Sequence, residues 1–237
     1  MIETWLVAGV VFLGVFTQSL TGFGVALVSM ALLPDLIGIR LASPLVALVS
    51  LTIEIVLLLR YHQAIELRPV LRIAGASLVG VPLGIVIVKL LDENLVLFLL
   101  GLVVAGYALY ALYGVRLPEL RHPAWPYLAG LVGGFLGGAY NTSGPPVIIY
   151  GSCARWEPER FKSNLQGYFL VSSLVVLAGH AIGRNLIAQV WQTYLTVLPV
   201  IGLAVLAGLL LDGKVSPGGF RRLVLVALVV MGVRLMF

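Results

Sequence analysis

The chain contains a single cysteine, Cys153. One thiol excludes an intramolecular disulfide and a thiolate cage around a metal. Charge is also scarce: 11% of residues are Asp, Glu, Lys or Arg, against about 25% in an ordinary soluble domain. No polar run is long enough to form a water-soluble domain. Catalytic signatures are missing too. There is no His-Glu-x-x-His, no Gly-x-Ser-x-Gly and no Gly-rich loop ending in a phosphate-binding lysine. The acids are mostly loop residues: Asp92, Glu93, Glu119, Glu157 and Glu159. The sequence thus implies no enzyme, cofactor or metal ion, and any work must draw on ion gradients or on the substrate's own gradient. No Ala-x-Ala-like cleavage site follows the first apolar stretch and no basic cluster precedes it, so that stretch is expected to stay in the mature protein. The net charge of +5 is what basic loops on one membrane face supply, and no nucleic-acid partner is read from it.

What is abundant is apolar sequence. Of the 237 residues 60% are hydrophobic, and the mean hydropathy is +1.08. This composition specifies an all-α integral membrane protein, with the lipid bilayer as its solvent. Spanning helices are expected at 41–60, 70–91, 94–114, 161–183, 190–211 and 219–236, each near the ~20 residues a bilayer requires. Two further apolar segments, 5–33 and 125–152, are interrupted by small and polar residues. The first break reads Gln18-Ser-Leu-Thr-Gly-Phe-Gly24; the second runs from Gly138 through Asn141-Thr-Ser-Gly-Pro-Pro146 to Gly151.

The two breaks occupy corresponding places. A shift of 120 residues lays Trp5 on Trp125, Gly14 on Gly134, Gly24 on Gly144, Arg40 on Arg160, Ser43 on Ser163 and Asp92 on Asp212. Thr21 falls on Asn141, so each break carries a small hydrogen-bonding residue three positions before the shared glycine. The register predicts an internal duplication with repeats 1–115 and 116–237.

Charge decides how the breaks are read. If each broken segment crosses the membrane, one face holds Arg60, Arg68, Arg72, Arg116, Arg121, Arg184 and Arg234, and the other holds the remaining eight of the 15 basic residues. That is no bias, and the positive-inside rule expects one. If each broken segment is a re-entrant hairpin, Arg40, Lys89, Arg184 and Arg234 share one face and the other eleven of the 15 share the opposite face. Each repeat is then one hairpin plus three crossings, and the odd number makes the repeats inverted. Both termini become extracytoplasmic and the basic face cytoplasmic, as in an inner-membrane protein. Eight full spans with parallel repeats is the alternative.

A hairpin tip at mid-membrane exposes helix ends. A helix N-terminus carries about half a positive charge and unpaired N–H donors, so it attracts anions. Ser143 is placed to cap the helix that follows it, and Pro145 and Pro146 suit its first turn. The expected substrate-binding residues are Gln18, Ser19, Thr21, Gly22, Phe23 and Gly24 from one tip. Asn141, Thr142, Ser143, Gly144 and Pro145 come from the other, with Gln166 facing the cavity. Arg40 and Arg160 begin the helices after the hairpins, either as interfacial arginines or as steering and gating residues, with Ser163 and Asn164 beside the second. Glu54 lies in an apolar run and His180 near a helix end, so these two are the candidates for proton coupling or relay. Glu54 could equally be the structural partner of a basic side chain.

Thr21-Gly-Phe-Gly24 in the first membrane segment, with Gly133-Gly134 and Gly137-Gly138 leading toward Pro145-Pro146, resembles the sulfite exporter TauE/SafE family, also called the toluene-sulfonate uptake permease family. One departure is that Tyr140-Asn-Thr-Ser143 stands between the glycines and the prolines, where family members often run directly into a proline. The resemblance implies a secondary transporter of small sulfur-containing anions, sulfite or organosulfonates such as sulfoacetate, working by alternating access. An anion channel of the same architecture, or a transporter of another small oxyanion or carboxylate, is the alternative.

Overall fold

The computed structural model describes residues 2–114, 118–211 and 217–237. The repeat boundary at 115/116, and Arg116, Asp212 and Lys214, lie outside the described residues.

Among the described residues ten α-helices follow one another: α1 (Ile2–Thr21), α2 (Val25–Ile37), α3 (Ile39–Tyr61), α4 (Leu67–Val88), α5 (Glu93–Tyr113), α6 (Trp125–Tyr140), α7 (Gly144–Cys153), α8 (Pro158–Ile182), α9 (Ala188–Leu211) and α10 (Pro217–Arg234). One 3₁₀ turn, His62–Ala64, follows α3. Helix ends obey local chemistry. Asp92 caps α5 by accepting the Leu95 N–H at 2.9 Å. Pro158 starts α8 three residues ahead of the predicted position 161, because its fixed φ suits a first turn.

Both broken segments fold back on themselves. In a straight helix Gly14 and Ser29 would stand roughly 22 Å apart, yet a methyl on Gly14 would lie 2.8 Å from Ser29 Oγ. Likewise a methyl on Gly133 would lie 3.1 Å from Val147, 14 residues on. With 10 residues, α7 is about 15 Å long, half the hydrocarbon thickness. The first break is shorter than the sequence predicts. Gln18, Ser19 and Thr21 remain helical, and the Ser19 and Thr21 hydroxyls satisfy themselves on the Val15 and Thr17 carbonyls four residues back. Only Gly22, Phe23 and Gly24 leave the helix, with Gly22 at φ 85° and Gly24 at φ 128°. Such angles are open to glycine and strained for other residues.

Among the described residues six helical stretches are long and apolar enough to cross a membrane: Thr4–Thr21, Ile39–Ala64, Leu67–Val88, Glu93–Tyr113, Pro158–Ile182 and Ala188–Leu211. With 20 residues, α1 is thus longer than one arm of a mid-membrane hairpin. The helix α10 falls where a span is expected but is not among the six.

The packing joins the two halves of the chain. Helix α6 lies on α4, and α1 lies on α9; α3 packs on α8, and α5 on α10. The α4–α6 seam is made of glycine. A methyl on Gly80 would meet the Leu131 carbonyl, one on Gly84 the Phe135 carbonyl and one on Gly138 the Val81 carbonyl. Small residues at four-residue spacing let helix backbones touch, which is how helices associate where no water drives them together. The core residues Val11, Met30, Leu45, Ile53, Leu100 and Leu165 are all but fully buried. Leu59, Leu71, Val86, Leu195 and Leu203 face outward, as a lipid-facing surface requires.

Candidate functional site

The two breaks meet. Residues Gln18, Phe23, Gly24, Val25 and Ala26 from the first and Asn141, Thr142, Ser143 and Gly144 from the second line one narrow cavity. Ser50 and Glu54 of α3, with Phe169 and Ser173 of α8, close its sides. The helix starts of α2 and α7 both border it and present first-turn N–H groups, though in α7 only Gly144 of the first three residues has one, because Pro145 and Pro146 lack the N–H. Of these, the Val25 N–H is taken by Gln18 Oε1 at 3.1 Å.

Three oxygens on the wall have no hydrogen-bond partner: Thr142 Oγ1, Ser50 Oγ and Glu54 Oε2. Their residues are 1%, 5% and 4% exposed. Buried polar groups left unpaired are rare and costly, so their convergence on one cavity marks a place built for a polar guest. Glu54 Oε1 accepts from Ser173 Oγ at 3.0 Å. Glu54 therefore faces the cavity and does not reach Arg60. The cavity measures about 30 Å³, room for two or three waters at roughly 10–15 Å³ each. It is contracted relative to a four-atom oxyanion.

The remaining predicted residues divide. Asn141 ends α6 in the left-handed conformation, φ 56°. Its N–H bonds the Gly137 carbonyl at 2.9 Å and the Thr142 N–H bonds that of Leu136 at 3.3 Å, an αL-type end in which Asn tolerates the positive φ. Its side-chain amide donates to Ser43 O and Oγ at 2.7 and 2.8 Å. Ser143 occupies the cap position of α7 but makes no side-chain cap bond. Its side chain turns instead toward the Tyr168 hydroxyl. Pro145 sits in the first turn of α7 as expected.

Ser19 and Thr21 point away from the cavity. Ser19 packs against Gly208 of α9, and the Thr21 hydroxyl reaches the Phe23 carbonyl at 2.6 Å, holding the break shut. Gly22 is covered by Lys162. Gln166 does not line the cavity. It donates to the Gly22 carbonyl at 2.6 Å and accepts from Gln18 Nε2 at 3.3 Å, tying α8 to the first tip.

Arg160 pairs with Glu66 at 2.9 Å and approaches Glu157 at 3.7 Å. Beside it, Asn164 Oδ1 accepts the Glu66 N–H at 2.8 Å, and the Ser163 hydroxyl is buried without a partner. At the other end, Arg40 and Lys89 border an open pocket of about 320 Å³. His180 Nε2 lies 3.2 Å from Ser43 Oγ, and its Nδ1 lies 3.2 Å from Asn185 Nδ2. The Ser43 contact is a role for His180 that spacing alone did not show. Ser50, Ser173 and Ser43 were missed for a plain reason: a lone serine in an apolar helix gives no signal until its neighbours are known. Among the described residues no group of three His, Cys, Asp or Glu side chains is placed to hold a metal ion.

The model of the sulfite exporter TauE/SafE family matches residues 6–235. The chain is 28% identical over 229 residues to a protein of Cupriavidus necator described as a probable sulfite/organosulfonate exporter TauE, covering 94% of this chain and 90% of that one. No solved structure matches. A family of exporters, not of enzymes, fits a multi-pass helical membrane protein. The chain belongs to the sulfite exporter TauE/SafE family.

Proposed function

We propose that the protein is a secondary transporter of a small sulfur oxyanion, sulfite or an organosulfonate, which binds between the two tips and crosses by alternating access. The observation that carries this reading is the cavity itself: two helix starts and the unpartnered Thr142 and Ser50 hydroxyls converge on one buried point. N–H groups and hydroxyls donate to the several oxygens of a sulfur–oxygen head, and the low dielectric strengthens each bond. Glu54 shares this small space. An ionised carboxylate and a bound anion repel strongly there, so the anion enters with Glu54 protonated, and one proton accompanies each anion.

The fold-back supports re-entrant hairpins and inverted repeats. So do three contacts. Arg160 pairs with Glu66, Arg234 with Asp35 at 3.3 Å, and His180 with Ser43. Eight full crossings would put the members of each pair on opposite membrane faces; the hairpin reading puts them on the same face. The packing is also reciprocal, since α6 on α4 answers α1 on α9. In this reading both termini are extracytoplasmic, together with Arg40 and Lys89, while Arg160 lies on the cytoplasmic side of the inner membrane.

The test is a thermal-shift screen of purified protein with sulfite, sulfoacetate, thiosulfate, sulfate and phosphate at constant ionic strength. Liposome flux with counterflow then follows for whichever anion binds. Saturable, counterflow-competent flux of sulfite or sulfoacetate is expected. Preference for phosphate, or flux that does not saturate, overturns the assignment.

A further inference from the structure

The two ends of the molecule are closed very differently. Toward Arg160, the central cavity is followed by successive polar layers. Gln18 bonds Gln166, Gln166 bonds the Gly22 carbonyl, Lys162 lies over Gly22 and the Tyr61 ring, and the Arg160–Glu66 pair with Asn164 covers them. Toward Arg40 there is one polar layer, backed by the apolar cluster of Ala47, Val81 and Val176. Asn141 lines the central cavity, Ser43 lines the open pocket, and the two are directly bonded. His180 holds Ser43 from the other side. On its far side the imidazole Nδ1 lies 3.2 Å from the Asn185 amide nitrogen.

The pocket beyond this layer is about ten times larger than the cavity, about 320 against about 30 Å³. It opens between the start of α3, the α4–α5 turn and the end of α6. Arg40 and Lys89 supply two positive charges to its wall, and Glu93 one negative. A concave wall with net positive charge concentrates anions, and this pocket admits a sulfonate that the contracted cavity does not.

We propose that this pocket is an outer anion-binding station, and that the Asn141–Ser43–His180 cluster is the gate between it and the central site. This rests on the anion-transport reading above and adds the route and the barrier. Opening breaks the bonds from the Asn141 amide to Ser43 and parts the small apolar cluster beside it, while the layers at the Arg160 end stay in place. The conformation seen is the one that opens next toward Arg40.

Thiol labelling tests this without knowledge of the transported anion. In a Cys153→Ala background, Ser50→Cys places a thiol on the cavity wall. The probe is 2-sulfonatoethyl methanethiosulfonate, a membrane-impermeant reagent that carries a sulfonate, added separately to each face of oriented vesicles. Asn141→Gly deletes the amide and keeps the left-handed backbone; Ser43→Ala deletes the accepting hydroxyl without touching that backbone. Each is expected to raise labelling at least ten-fold from the Arg40 face and to leave it unchanged from the Arg160 face. Arg40→Gln with Lys89→Gln should slow the sulfonate reagent about ten-fold and leave an uncharged methanethiosulfonate unaffected. Unchanged labelling in both gate variants, or faster labelling from the Arg160 face, overturns the gate. Equal slowing of charged and uncharged reagents overturns the anion station. Labelling as expected in a protein that moves no sulfur anion retains the gate and rejects the substrate assignment.

Discussion

Gln166→Met separates a ligand of the anion from a tie between helices. The side chain is fully buried and makes two bonds across the two halves, to the Gly22 carbonyl at 2.6 Å and to Gln18 at 3.3 Å. Methionine nearly conserves its volume, so no large cavity opens. Interhelical hydrogen bonds in membranes average about 0.6 kcal/mol each, and the two together contribute about 1 kcal/mol. The Gly22 carbonyl and the Gln18 amide are left without these bonds in a buried place, which costs a further ~1–3 kcal/mol. The expected loss is about 2–4 kcal/mol. At roughly 2–4 °C per kcal/mol for a chain of this size, the unfolding midpoint in detergent falls by about 4–16 °C. A double-mutant cycle with Gln18→Met should give a coupling of at least about 0.5 kcal/mol. Sulfite affinity, read from the midpoint rise on adding sulfite, should change less than three-fold. An unchanged midpoint refutes the tie. A ten-fold loss of affinity at unchanged stability returns Gln166 to the binding site.

Thr142→Val and Ser50→Ala each remove a hydroxyl aimed at the cavity and should weaken sulfite binding about ten-fold or more, since a bond to a charged group contributes about 1.5–3 kcal/mol. Both should leave the unligated midpoint unchanged or raised, because an unpaired buried group is lost; titration by thermal shift checks both. Glu54→Gln keeps the Ser173 contact and removes the exchangeable proton, so anion exchange in liposomes should persist while flux ceases to respond to a pH gradient. Gly138→Ala drives a methyl onto the Val81 carbonyl and should cost ~1–3 kcal/mol by overpacking, whereas Gly9→Ala, with open space around it, should hold or raise the midpoint in the same melt, since Ala is favoured over Gly in a helix interior.

Much of the site was legible because a bilayer penalises polarity so heavily. Two breaks in apolar segments, a 120-residue register and a count of basic residues led to Asn141, Thr142, Ser143 and Gln18, an acid in an apolar run led to Glu54, and all five border one cavity. The outcome was different for Ser19, Thr21 and Gln166. These are polar residues in or near the breaks, but a hydroxyl in a helix satisfies itself on the carbonyl four residues back. A buried amide can spend both ends on neighbours. Sequence spacing carries no record of which of these happens.

By itself the sequence determined the solvent, the class and the punctuation of the fold. Apolar length makes helices in lipid, and Gly-Phe-Gly and Asn-Thr-Ser-Gly-Pro-Pro end them, because only such residues accept those backbone angles or forgo those bonds. Tertiary structure alone decided which polar atoms remain unpaired, that Ser50 and Ser173 join Glu54 at the cavity, and that Asn141 bonds Ser43 while Gln166 bonds Gly22. The reason is that these pairings join residues on average about a hundred positions apart. Their geometry is set by glycine seams that bring whole helices together, and no local pattern encodes it.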